Sequence, residues 1–135
     1  MDCELLHPST GTFRYYDGGR LIVEVDQELT DYYRSLIPPW YGAQRPRYPA
    51  HITVVRQGKE TPVHWEHWGK YEGQSVSFFY SPIVQVGKVY FWLMVYCRQL
   101  EEVRLELGLP VVSQYTLLPE GFRKAFHTTI ANMKP

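Results

Sequence analysis

Two short runs rich in β-branched and aromatic residues, residues 11–16 and Arg20–Val25, flank the turn triplet Asp17-Gly18-Gly19, a pattern that predicts a β-hairpin. The period then changes. Leu29, Tyr32, Tyr33 and Leu36 recur at helical spacing behind Asp26, a residue suited to cap a helix, and Pro38 and Pro39 end the run. Residues 37–50 set Trp40, Tyr41, Arg45 and Arg47 between prolines and predict a loop. A short β-rich stretch, 51–56, follows, and then a polar, Trp-rich segment, 57–73, that predicts loop with at most a helical turn. Strand character returns over Ser75–Tyr80, 83–86 and 89–96, separated by Ser81-Pro82 and Gly87-Lys88, which predicts a meander. Residues 98–107 read as a helix with Leu100, Val103 and Leu107 on one face, Gly108 at the C-terminal cap and Pro110 beyond. A polar linker to Lys124 and a final strand, 126–133, complete the chain.

Strands, helix, strands, helix, strand is an α+β order, and each half carries one helix and ends in a His-containing strand. No repeat aligns the halves by identity. With 135 residues, 44% of them hydrophobic, the chain can bury one core, so residues 1–135 are expected to form a single domain. Fourteen basic and fourteen acidic side chains cancel. Double-stranded DNA is therefore not an expected partner, and any anionic ligand must be held locally. Cys3 and Cys97 lack the spacing of a disulfide scaffold or a zinc site, which favours a reducing, cytoplasmic setting. The longest apolar run is about half a membrane span, and residues 1–10 lack the features of a signal peptide, so no membrane association or export is expected.

The candidate chemistry lies in two segments of one pattern, His51-Ile52-Thr53-Val54 and His127-Thr128-Thr129-Ile130. On a strand, residues i and i+2 share a face about 6 to 7 Å apart, so His51 stands beside Thr53 and His127 beside Thr129, while Ile52 and Val54 turn to the core. With the two strands side by side, two imidazoles and two hydroxyls converge on one groove. Such a set suits a phosphodiester. One neutral imidazole takes the proton of the attacking hydroxyl and one protonated imidazole gives a proton to the leaving oxygen, because histidine titrates near neutrality. Threonine hydroxyls can donate to the non-bridging oxygens. Neither a metal nor another cofactor is required. With five His in the chain, two His-x-Thr hits arise by accident at roughly 3 to 4%, so their placement on strands carries the argument.

The paired motifs resemble those of the 2H phosphoesterase superfamily. Trp68-Gly69-Lys70-Tyr71-Glu72-Gly73, Tyr90-Phe91-Trp92-Leu93, Leu100-Glu101-Glu102-Val103-Arg104 to Gly108-Leu109, and Phe126 to Asn132 are similar to a narrower group. These are the phage Swiss-army-knife RNA-repair-like proteins, which include anti-CBASS immune-evasion enzymes. The resemblance implies a bilobal fold with two antiparallel sheets around a central cleft and flanking helices. It implies His51 and His127 as catalytic residues and Thr53 and Thr129 as phosphate-binding ones. The implied substrate is a cyclic di- or trinucleotide, met in the host cytoplasm if the protein is phage-encoded. An RNA 2',3'-cyclic phosphodiesterase would use the same four residues, and a non-catalytic nucleotide sponge or a structural phage or accessory protein is the rival of another class. The chain ends eight residues after His127, so base-recognising groups that relatives draw from further downstream are expected from elsewhere in the fold or from a second subunit.

Tyr15, Tyr16, Trp40 and Tyr41 are the candidates for stacking on a base. Arg56 and Lys124 flank the motifs and could steer a phosphate, with a solvated charge as the alternative reading. His64, Glu66 and His67 lack the spacing of a metal site and are read as an exposed turn.

Overall fold

The computed structural model describes residues 5–111, 113 and 126–133. Its elements are β1 (His7–Tyr16), β2 (Arg20–Val25), α1 (Gln27–Ser35), β3 (His51–Val55), β4 (Ser75–Tyr80), β5 (Gln85–Val86), β6 (Tyr90–Tyr96), α2 (Arg98–Glu106) and β7 (Phe126–Asn132). Single 3-10 turns occupy Pro39–Tyr41 and Trp65–His67. The class is α+β. The polar linker to Lys124 falls largely outside the described residues, as do Cys3 and Lys124.

The strands pair antiparallel in the order β4-β1-β2-β3-β7-β6-β5, and β4 also pairs with β6. Six strands thus close into a barrel, with β5 beyond the ring at the edge of β6. Closure removes free edges and encloses Phe13, Leu21, Val23, Ile52, Val54, Phe78, Leu93, Phe126 and Ile130 in one core. The β1–β2 turn works because Gly18 and Gly19 take positive φ, 92° and 101°. Asp26 caps α1, its carboxylate accepting from the Glu28 amide at 3.0 Å.

Two expectations are corrected by long-range pairing. β1 starts at His7 rather than at residue 11, because residues 7–12 lie along β4 while residues 11–16 lie along β2. Ser75–Tyr80, 83–86 and 89–96 do not form a meander: β6 lies against β4, and the middle strand shrinks to Gln85–Val86. The Ser81 hydroxyl accepts from the Ile83 amide at 3.1 Å, holding residues 81–83 in a turn, and Pro82 has no amide to give to a ladder.

The topology relates the two halves of the chain. β1, β2, α1 and β3 correspond in order and pairing to β4, β6, α2 and β7, and each set ends in its His-x-Thr strand. Each helix also latches the other half's strand through an arginine. Arg104 of α2 donates from Nη1 to the Val54 carbonyl at 2.6 Å, and Arg34 of α1 donates from Nη1 to the Ile130 carbonyl at 3.2 Å. Val54 and Ile130 each follow their histidine by three residues. Arg104 is fully buried and paired with Glu60 at 2.8 Å, so its charge is compensated inside the protein. Asp31 plays the matching part beside Arg34 at a more exposed position.

Candidate active site

β3 and β7 meet at the pair Ile52 and Thr128, both fully buried. The alternation of strand side chains then turns His51, Thr53, His127 and Thr129 to the opposite, outer face. An antiparallel pair centred at Ile52 and Thr128 sets His51 across from Thr129 and Thr53 across from His127. All four line one cavity of about 430 Å³. Thr128 donates its hydroxyl to the His51 carbonyl at 2.9 Å, so this inward-facing hydroxyl ties the two strands together.

The histidines differ in their surroundings. The His51 Nδ1 lies 2.9 Å from the Pro49 carbonyl. A carbonyl only accepts, so Nδ1 carries the proton and Nε2 of the neutral ring keeps its lone pair for the cavity. Burial lowers the His51 pKa, as do the charges of Arg20 and Arg56, against the opposing effect of the Pro49 bond. His127 sits edge-on to Trp92, ring centroids 6.5 Å apart, beside the buried Met94. Burial pushes the His127 pKa down to about 4, with smaller contributions from Arg56 and His51. Both rings are therefore neutral at pH 7 in the free protein.

Arg56 also lines the cavity, and its buried Nε has no hydrogen-bond partner among the described residues. The nearby carboxylate, Glu60, is engaged by Arg104 and also accepts the Arg56 main-chain amide. Burial accordingly lowers the Arg56 pKa. A guanidinium that shares a cavity with two imidazoles is suited to a phosphate.

The loop of residues 37–50 forms one wall. Gln44 and Asn132 exchange backbone bonds, Gln44 N to Asn132 O at 2.7 Å and Asn132 N to Gln44 O at 3.0 Å, which carries Pro46, Arg47 and Tyr48 over the cavity. Arg47 lies over the Tyr48 ring, 5.7 Å from its centroid. Tyr90 and Asn132 complete the lining.

The four residues expected to stack on a base do not line this cavity. Tyr15 packs edge-on against Trp68 at 5.0 Å, and burial raises its hydroxyl pKa to about 12. Trp40 is 82% exposed and stacks on Tyr41, which in turn packs against Phe91. Tyr16 lies under Arg20 and lines a neighbouring small recess that His51 and Tyr48 share. The aromatic faces available to a ligand in the cavity are Tyr48 and Tyr90, 60% and 41% exposed. Tyr48 belongs to the aromatic and arginine-rich loop, and its place directly before Pro49-Ala50-His51 is a signal only once the loop's path is known. His64 and Glu66 face each other at 3.5 Å on the surface, and among the described residues no group of three or more His, Cys, Asp or Glu side chains is placed to hold a metal ion. Among those residues, too, no helix is long and apolar enough to cross a membrane.

No family model matches the chain, and neither a curated protein nor a solved structure matches it.

Proposed function

We propose that the chain is a metal-independent phosphodiesterase of the 2H phosphoesterase type, acting on a nucleotide with a 2'-hydroxyl beside its phosphodiester. The observation that carries this reading is the convergence of His51, Thr53, His127 and Thr129 on one cavity with Arg56. The matched order of the two halves, each ending in a His-x-Thr strand and latched by an arginine, supports the two-lobed 2H arrangement around a cleft.

In this reading His51 is the base. Its Nε2 accepts the proton of the 2'-hydroxyl, whose oxygen bonds to phosphorus as the P–O5' bond breaks. His127 gives its proton to the departing O5'. The phosphate itself brings that proton into reach: a bound anion offsets the charge of Arg56 and favours the imidazolium that the empty site refuses. Thr53 and Thr129 donate to the non-bridging oxygens, where each such contact contributes about 3 kcal/mol to the transition state. The first product is a 2',3'-cyclic phosphate, which water can then open by the same pair in reversed roles.

Cyclic di- and trinucleotides of the kind used as immune signals are the substrates we favour, on the resemblance to phage anti-CBASS enzymes. Incubation with cyclic dinucleotides and with RNA ending in a 2',3'-cyclic phosphate, both in EDTA, tests the assignment. Turnover of the first supports it, turnover of the second alone reassigns the substrate to RNA ends, and turnover of neither removes the enzymatic reading.

A further inference from the structure

A second cavity of about 380 Å³ adjoins the first and is lined by Arg20, Thr53, Val55, Arg56, Gln57 and Lys59. Thr53 and Arg56 belong to both cavities. Among the described residues its lining contains three cationic side chains and no carboxylate. Two nearby carboxylates are engaged by other arginines: Glu24 pairs with Arg14 at 2.9 Å, and Glu60 pairs with Arg104 at 2.8 Å. The chain as a whole is neutral, so this concentration of positive charge is local. We propose that this cavity is a second phosphate subsite, so that the site takes ligands with two phosphates on one nucleoside or on adjacent ones.

The shared Arg56 gives the arrangement its chemistry. A guanidinium presents five donors in a planar fork, enough to bond one anion on each edge. Its Nε has no partner among the described residues, and Thr53 stands at the same boundary. Arg20 and Lys59 supply the further charge that a second phosphate needs. Arg20 is held over the Tyr16 ring, 4.8 Å from its centroid, which restrains its charged end. A 2',3'-cyclic mononucleotide, with one phosphate, leaves this cavity empty. A cyclic dinucleotide or an oligoribonucleotide carries its next phosphate one sugar away and fills it.

The inference deepens the phosphodiesterase reading and rests on it for the place of the first phosphate. Its test needs no turnover. Isothermal titration of the full chain with adenosine 3'-phosphate and with adenosine 3',5'-bisphosphate compares one phosphate with two on the same nucleoside. The bisphosphate is expected to bind about tenfold more tightly, and the double variant Arg20→Ala/Lys59→Ala to erase that advantage while leaving the monophosphate within about twofold. Equal affinities in the unsubstituted chain, no binding of either ligand, or a double variant that weakens both ligands alike overturns the subsite. A chain that shows the difference yet cleaves no diester keeps the anion site and loses the catalytic reading. Turnover of diesters without the difference does the reverse.

Discussion

The Thr128 hydroxyl donates to the His51 carbonyl at 2.9 Å, binding the middle residue of one His-x-Thr triplet to the first residue of the other. The contact lies at the seam where Ile52 and Thr128 pair, and it fixes how far apart β3 and β7 carry the two imidazoles. Thr128→Val keeps the shape and removes the donor. The expected cost is about 1 to 3 kcal/mol in urea unfolding, with kcat falling more than KM rises. Unchanged stability and unchanged kcat would show that the tie is idle.

Arg104 makes the second prediction. It is fully buried, bonds the Val54 and Pro110 carbonyls and pairs with Glu60. Arg104→Met leaves the Glu60 carboxylate without its partner in the interior and is expected to cost about 3 to 5 kcal/mol in chemical denaturation. Adding Glu60→Leu should recover part of that loss, since the stranded charge goes with it. A single variant as stable as the unsubstituted chain contradicts the latch.

The third prediction concerns pH. The unfolded chain protonates His127 near 6.5, and the folded chain refuses that proton until about pH 4. Between those values the unfolded state binds more protons, so stability falls as the pH is lowered through this window, by up to about 3 kcal/mol in total. His51, shifted in the same direction, adds to the slope. Urea unfolding at a series of pH values should show the loss, and His127→Ala should flatten it.

Arg56 lowers the pKa of both histidines and has no partner at Nε among the described residues. Arg56→Gln should move the His127 titration upward, read by NMR of its ring protons, while kcat/KM falls at least about tenfold. A His127 pKa that stays in place would separate Arg56 from the site.

Tyr48, rather than Trp40, is the face offered to a base. Tyr48→Ala should weaken nucleotide binding by about 1 to 3 kcal/mol, and Trp40→Ala should leave it unchanged. The reverse ranking would send the base to the far side of the loop.

Local pattern made some of this legible in the sequence. The period of two put His51 with Thr53 and His127 with Thr129 on one face and turned Ile52 and Val54 inward, and both helices fall where caps and prolines bracket them. What escaped depends on distant pairing. β1 is longer than its own residues suggest because β4 supports its first half. Arg104 shares a helix face with Leu100, Val103 and Leu107, a hint of burial, but its partners Glu60 and Val54 lie 44 and 50 residues away. That Tyr48 lines the cavity and Trp40 and Tyr41 do not also depends on distant pairing, since the Gln44–Asn132 bridge ties the loop to β7. The likeness of the two halves resides in order and pairing, and so leaves no identity between them to detect.

The most direct test of the central claim is mass spectrometry of the products that the unsubstituted chain, His51→Ala and His127→Ala each make from one cyclic dinucleotide in EDTA. The account predicts a linear product ending in a 2',3'-cyclic or opened phosphate from the unsubstituted chain, and a loss of rate of at least about a hundredfold in each variant. Intact substrate in all three samples, or equal turnover by the variants, would contradict it.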